Sequence, residues 1–69
     1  MTKEEAEIRQ LLANYARTAG WFFPKNFASK WLEEPNPLFG NIKPYWFIKN
    51  GREAKLLKMV KSLLEGDLP

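Results

Sequence analysis

One stretch of the chain decides the fold: residues 31–44 read WLEEPNPLFGNIKP, from Trp31 to Pro44. Its first two residues complete the apolar face of a helix. Pro35 ends that helix, because the residue before a proline is disfavoured in the α region. Residues 36–41 combine Asn, Pro and Gly and predict an irregular turn segment. Pro44 then suits the first turn of another helix.

An amphipathic helix is predicted before this stretch, over residues 3–18. Its apolar side chains recur at the i, i+3, i+4, i+7 spacing that lines one helix face. They are Ile8, Leu11, Leu12, Tyr15 and Ala19. Thr2 and Glu5 predict a capping box at the start. Gly20 predicts the end.

Three further helices are predicted around and after the central stretch. Pro24 fits the first turn of the second, and Pro44 precedes a short third at 45–49. Asn50, with Glu53, is predicted to cap the fourth, which Gly66 would end. The prediction is an all-α, single small four-helix domain over residues 1–69. Its expected core contains Leu11, Tyr15, Phe27, Trp31, Leu57, Val60 and Leu64.

Composition supports a packed domain, since 45% of the residues are hydrophobic and 14% are aromatic. A domain this small buries only about 60% of the surface of its unfolded chain, so a partner or a second copy is a natural source of stability. There is no apolar run of transmembrane length, and the acidic N-terminus is unlike a signal peptide. We therefore expect a cytoplasmic protein.

The residue types argue against catalysis. The chain has no histidine and no cysteine, which removes the usual general base, thiol nucleophile and zinc ligands. Glu33 and Glu34 are neighbours on a helix and do not face each other. We expect no enzyme activity, no cofactor and no metal. The net charge of +3 includes a basic row on the last helix, but such a row is more often a solvated face than a nucleic-acid site.

The aromatic run at 45–48 is harder to interpret. Tyr45, Trp46, Phe47 and Ile48 are four consecutive bulky residues on a short predicted helix, so they cannot all face inward. At least one of Tyr45 and Trp46 should lie on the surface. Exposed Tyr and Trp often anchor protein interfaces. Partial burial without a partner is the equally weighted alternative.

The order of these motifs resembles the toxin-binding domain of Xre/MbcA/ParS-type antitoxins. The matching positions are Trp31-Leu32, Pro35-Asn36, Leu38, Gly40, Pro44, Gly51, Leu56, Val60, Leu63 and Gly66. The resemblance covers residues 28–66, and we assign 21–69 to this domain and 1–20 to an N-terminal helix. The family often has a second glycine where Asn41 stands. Its short third helix is usually aliphatic, and its loop into the last helix differs around Arg52.

The resemblance implies a bacterial antitoxin module that covers the active site of a RES-type, NAD-consuming toxin. Tyr45 and Trp46 would anchor the interface, and Arg52 would meet a carboxylate of the partner. The tail would reach the rim of the active site through Asp67, Leu68 and Pro69. A homodimer is a further expectation. The N-terminal helix is too short for the DNA-binding region that family members usually carry.

Two other classes of function remain open from the sequence. The first is a small helical adaptor or dimerisation domain without a toxin partner. The second, less favoured, is a small basic protein that binds nucleic acid through Arg52, Lys55, Lys58 and Lys61.

Overall fold

The computed structural model describes the backbone of residues 1–65 and the side chains of residues 1–64, and it confirms the all-α prediction. Four α-helices occur in this part of the chain. They are α1 (Lys3–Thr18), α2 (Pro24–Glu33), α3 (Tyr45–Lys49) and α4 (Glu53–Glu65). Helix α1 packs against both α2 and α4, and α3 packs against α4. The predicted stop at Gly66 lies outside the described residues.

Helix α1 has the bounds that its sequence predicts, but the capping box at its start forms only in part. The Thr2 hydroxyl accepts a hydrogen bond from the backbone N–H of Glu5 at 3.1 Å. The Glu5 carboxylate instead accepts from the Arg9 guanidinium, also at 3.1 Å, so only half of the capping box forms. At the other end Gly20 has φ +90°, and the N–H of Trp21 donates to the carbonyl of Ala16 at 2.9 Å. This is a Schellman turn, in which glycine takes the left-handed position without a Cβ penalty.

The junction between α3 and α4 corrects one prediction. Asn50 was expected to cap the start of α4, but it ends α3: its side-chain N–H donates to the carbonyl of Trp46 at 2.7 Å. Gly51 follows with φ +70°, and the N–H of Arg52 donates to the carbonyl of Phe47, again at 2.7 Å. The junction is a second Schellman turn. Asn50 belongs to this turn and therefore does not cap α4, which begins at Glu53.

The connection between α2 and α3 is the irregular segment that the prolines predicted. Asn36 and Ile42 form an isolated antiparallel bridge, and a short 3-10 helix lies between them at Pro37–Phe39. The side chain of Asn36 accepts a hydrogen bond from the N–H of Leu38 at 2.9 Å. The bridge closes the segment into a compact loop.

The core is small and is built from all four helices. Its buried members are Ile8, Leu12, Ala28, Leu32, Phe47, Leu56 and Val60. Of the seven residues predicted for the core, Val60 is fully buried, and five are half-buried against this cluster: Leu11, Phe27, Trp31, Leu57 and Leu64.

The prediction for the seventh core residue, Tyr15, is wrong. Tyr15 is 47% exposed, and its ring contacts the ring of Phe27 at a centroid distance of 5.8 Å. Tyr15 and Leu64 line a shallow gap of about 250 Å³ near the ends of α1 and α4. The two helices therefore do not close over Tyr15, although its spacing places it on the packed side of α1.

Candidate protein-binding surface

Helix α3 is short, and its neighbours in the sequence hold it in place. Pro44 is fully buried just before its first residue, and the Schellman turn at Gly51 ends it. Five residues form too short a helix to be stable by themselves. Its orientation therefore depends on Phe47, which inserts into the core, and on the buried Leu56 of α4.

A chain of aromatic contacts runs from α2 through the loop into α3. The ring of Trp31 meets the ring of Phe39 edge-on at 6.0 Å between centroids. Phe39 in turn contacts Phe47 at 5.5 Å, and Phe47 contacts Trp46 at 5.2 Å with the rings at 87°. These edge-to-face geometries are the favoured arrangement for aromatic pairs. The surface ring of Trp46 is thus supported from the core.

Trp46 and Arg52 form a composite surface at the α3–α4 junction. The indole is 40% exposed, and the Arg52 guanidinium carbon lies 5.6 Å from the ring centroid. That distance is within the range of a cation–π contact, which orients the guanidinium across the ring. We call these two residues the Trp46–Arg52 surface. They can supply an apolar face and a planar set of donors to one partner group.

The other predicted site residues divide into two groups. Tyr45 is half-buried and packs against the core, so it offers less free surface than Trp46. The sequence expectation that at least one of the two lies on the surface is met by Trp46. Asp67, Leu68 and Pro69 lie outside the described residues.

The basic row on α4 is exposed at all four positions: Arg52, Lys55, Lys58 and Lys61. Two of these cations already have partners. Arg52 lies over Trp46, and the Lys61 ammonium is 3.2 Å from the Glu7 carboxylate of α1. The row therefore belongs partly to the packing of α1 and α4.

A second group of exposed aromatic residues was missed by the sequence analysis. In the link between α1 and α2, Phe22 is 93% exposed and Phe23 is 69% exposed. Trp21, beside them, is 50% exposed and contacts the ring of Phe27 at 5.2 Å. The available signal was the unbroken run of three aromatic residues between Gly20 and Pro24, in a link too short to fold over them.

The part of the chain that the structure describes contains no group of three or more Asp or Glu side chains arranged to hold a metal ion. No helix within it is both long enough and apolar enough to cross a membrane. Comparisons with protein-family models, with curated proteins and with solved structures found no match to this chain.

Proposed function

We propose that this chain is a non-catalytic protein-binding module of the antitoxin kind, which binds a RES-type toxin and covers the entrance to its active site. The main observation behind this proposal is the Trp46–Arg52 surface. Its indole is exposed, contacts both a core phenylalanine and a guanidinium, and lies on a helix whose two ends are both held. A bacterial, cytoplasmic setting is part of the same proposal.

The physical support is pre-organisation. A tryptophan has only two side-chain torsions, and here contacts with the ring of Phe47 and the guanidinium of Arg52 restrict them. Little conformational entropy is then lost when a partner covers the indole. Tryptophan and arginine are also the residue types enriched at the energetic centres of protein interfaces.

The conformation at Asn41 supports the resemblance at a position where the sequences differ. Gly40 has φ +67° and Asn41 has φ +65°, so two successive residues are left-handed. Asparagine is among the few side chains that adopt this region readily, and glycine adopts it without strain. The second glycine of the family and Asn41 of this chain can therefore form the same turn.

Burial at the motif positions also supports the resemblance. Leu32, Pro44, Leu56 and Val60 are fully buried, or nearly so. These four shared residues belong to the scaffold, although two other shared positions, Leu38 and Leu63, are exposed. The departure to Tyr45 and Trp46 falls where the surface is exposed or half-buried. A family that keeps its scaffold and varies this surface would match different toxins.

The test is a titration of the purified chain into a RES-type enzyme from the same genome, followed by calorimetry and by the rate of NAD consumption. We expect stoichiometric binding and loss of NAD turnover. Trp46→Ala should weaken binding by about 2 kcal/mol or more if the indole is an interface centre. Phe22→Ser, a matched exposed aromatic outside this surface, should bind like the wild type.

Tyr45 requires a milder substitution, because truncation of a half-buried ring would also disturb packing. Tyr45→Phe removes only the hydroxyl and separates the two effects. Circular dichroism of each variant controls for folding. Wild-type affinity in Trp46→Ala, or undiminished NAD turnover at saturating concentrations of the chain, would exclude this function for the Trp46–Arg52 surface.

A further inference from the structure

A groove lies between α1 and the first half of α2, apart from the Trp46–Arg52 surface. Its volume is about 760 Å³. The small side chains Ala6, Ala13 and Ala28 line it where the two helices approach each other. Phe22 and Phe23 border it at the α1–α2 link, and Met1 also contributes. We call this feature the α1–α2 groove.

The exposed rings at this groove have no intramolecular role that explains their position. Phe22 and Met1 are almost fully exposed, and Phe23 is mostly exposed. Single exposed apolar residues are common, but a contiguous group around a concave surface indicates a binding site. Phe23 also directly precedes Pro24, whose fixed φ at the start of α2 limits the freedom of the link.

The charged residues that line the groove are all basic. Its lining includes Arg9, Arg17 and Lys25, and no Asp or Glu. Arg9 is engaged with Glu5 at 3.1 Å and reaches the Ser29 hydroxyl at 3.4 Å, so it joins the two helices. Among the side chains of residues 1–64, no carboxylate lies within 4.0 Å of Arg17 or Lys25. Arg17 donates a hydrogen bond to the neutral side-chain oxygen of Asn14 at 3.1 Å, so its charge, like that of Lys25, has no carboxylate partner among these side chains. Both cations are exposed and can attract an acidic ligand.

We propose that the α1–α2 groove binds a protein segment that presents apolar side chains next to Asp or Glu. The apolar side chains would contact Phe22 and Phe23, and the carboxylates would meet Arg17 and Lys25. The concave form of the groove favours an inserted side chain over a flat lipid surface. Charge disfavours a second copy of this chain, because a two-fold contact would bring two positive rims together.

This surface is separate from the one proposed to bind a toxin. Helix α1 contacts α4 through other positions, among them Glu7, which pairs with Lys61. The groove residues of α1 are Ala6, Arg9, Gln10, Ala13 and Arg17, which lie along the side facing α2. One chain could therefore hold two protein partners at the same time.

The experiment begins with selection of peptides from a random displayed library on the immobilised full chain. The best peptide is then synthesised with a fluorophore, beside a matched peptide in which every Asp and Glu is replaced by Lys. We expect the selected peptides to be acidic and apolar, and the lysine version to lose binding. Fluorescence anisotropy then gives Kd for each protein variant.

Two double variants of the protein test the apolar and the basic part of the groove separately. Phe22→Ser with Phe23→Ser should raise Kd about 30-fold or more, as expected when central interface side chains are removed. Arg17→Gln with Lys25→Gln should raise it about fivefold to tenfold, and the difference should shrink in about 0.5 M salt because exposed charges are screened. Trp46→Ala should bind the peptide like the wild type, whatever its effect on the toxin.

Several outcomes would overturn the proposal. They are selection of basic or uncharged peptides, wild-type affinity in the Phe22 and Phe23 double variant, and loss of binding in Trp46→Ala. Sedimentation of the chain with vesicles of phosphatidylglycerol and phosphatidylcholine, abolished in the same double variant, would assign the rings to a membrane surface instead. A dimer in analytical ultracentrifugation that the double variant dissociates would assign them to self-association.

Discussion

Two runs of three aromatic residues, 21–23 and 45–47, have similar composition but differ in how many of their rings are buried. In the second run, a helical backbone directs Phe47 into the core and leaves Trp46 supported at the surface. In the first run, the backbone is a non-helical link, and Phe22 and Phe23 are exposed to solvent. The difference shows that the backbone conformation, and not the apolar content of a run, decides how much of it is buried.

The largest expected effect is on Phe47, the central ring of the second run. It is nearly buried and contacts both Phe39 and Trp46. Phe47→Ala should lower the free energy of unfolding by about 3–5 kcal/mol, since truncation leaves a cavity and removes two ring contacts. Urea denaturation followed by circular dichroism measures the change. A loss below about 1 kcal/mol would mean that α3 is not held by this ring.

Gly20 and Gly51 allow a matched comparison of the turns that flank the two runs. Both are left-handed, and a Cβ at either would meet open space, so only backbone strain opposes alanine. Each Gly→Ala change should destabilise the protein by about 1–2 kcal/mol. Trp21 follows Gly20 directly and would add its own signal, so both variants are made with Trp21→Phe. In that background, only Gly51→Ala should also change the near-UV circular dichroism, because Arg52, which lies over Trp46, follows that turn. Equal spectra in the two variants would contradict the link between the turn and the ring.

Arg52 tests the support of Trp46 from outside the core. Arg52→Gln keeps a polar side chain but removes the cation from the ring, and it should lower stability by about 0.5–1 kcal/mol. Acrylamide quenching of tryptophan fluorescence should increase, because one face of the indole opens to solvent. Lys55→Gln, on the same helix and also exposed, serves as the control. Similar quenching in both variants would remove the cation–π contact from the description of this surface.

The smallest expected effect is on Phe22. Because its ring is almost wholly exposed, Phe22→Ser should change the free energy of unfolding by no more than about 0.5 kcal/mol. Thermal melting and urea titration both measure it. A destabilisation comparable to that of Phe47→Ala would show that the two runs are equally packed, and the contrast between them would be lost.

The helices were predictable because their signals are local. Apolar spacing, Thr2, Pro24 and Pro35 act within one or two turns of the chain, and the structure places the helix ends where they indicate. Asn50 was misassigned because asparagine suits both ends of a helix, and only the hydrogen bond to Trp46 decides between them. The spacing of apolar residues also identified the inward face of α1. It did not show that α1 and α4 leave Tyr15, near the end of α1, largely uncovered.

The candidate surfaces were predictable only in part. The rule that four consecutive bulky residues cannot all be buried identified α3, and Trp46 is exposed as that rule allows. The same rule says nothing about Arg52. Its contact with the indole depends on the turn at Gly51, which the residue spacing alone does not predict. The α1–α2 groove depends on the packing of two helices and on charges that are distant in sequence, so no local pattern indicated it.

The position of α4 against α1 has a consequence for synthesis of the chain. Leu56 and Val60 complete the core, yet they are translated after the other three helices. Until they emerge from the ribosome, Ile8 and Leu12 lack their final neighbours, and the nascent chain exposes apolar surface of the kind that chaperones bind.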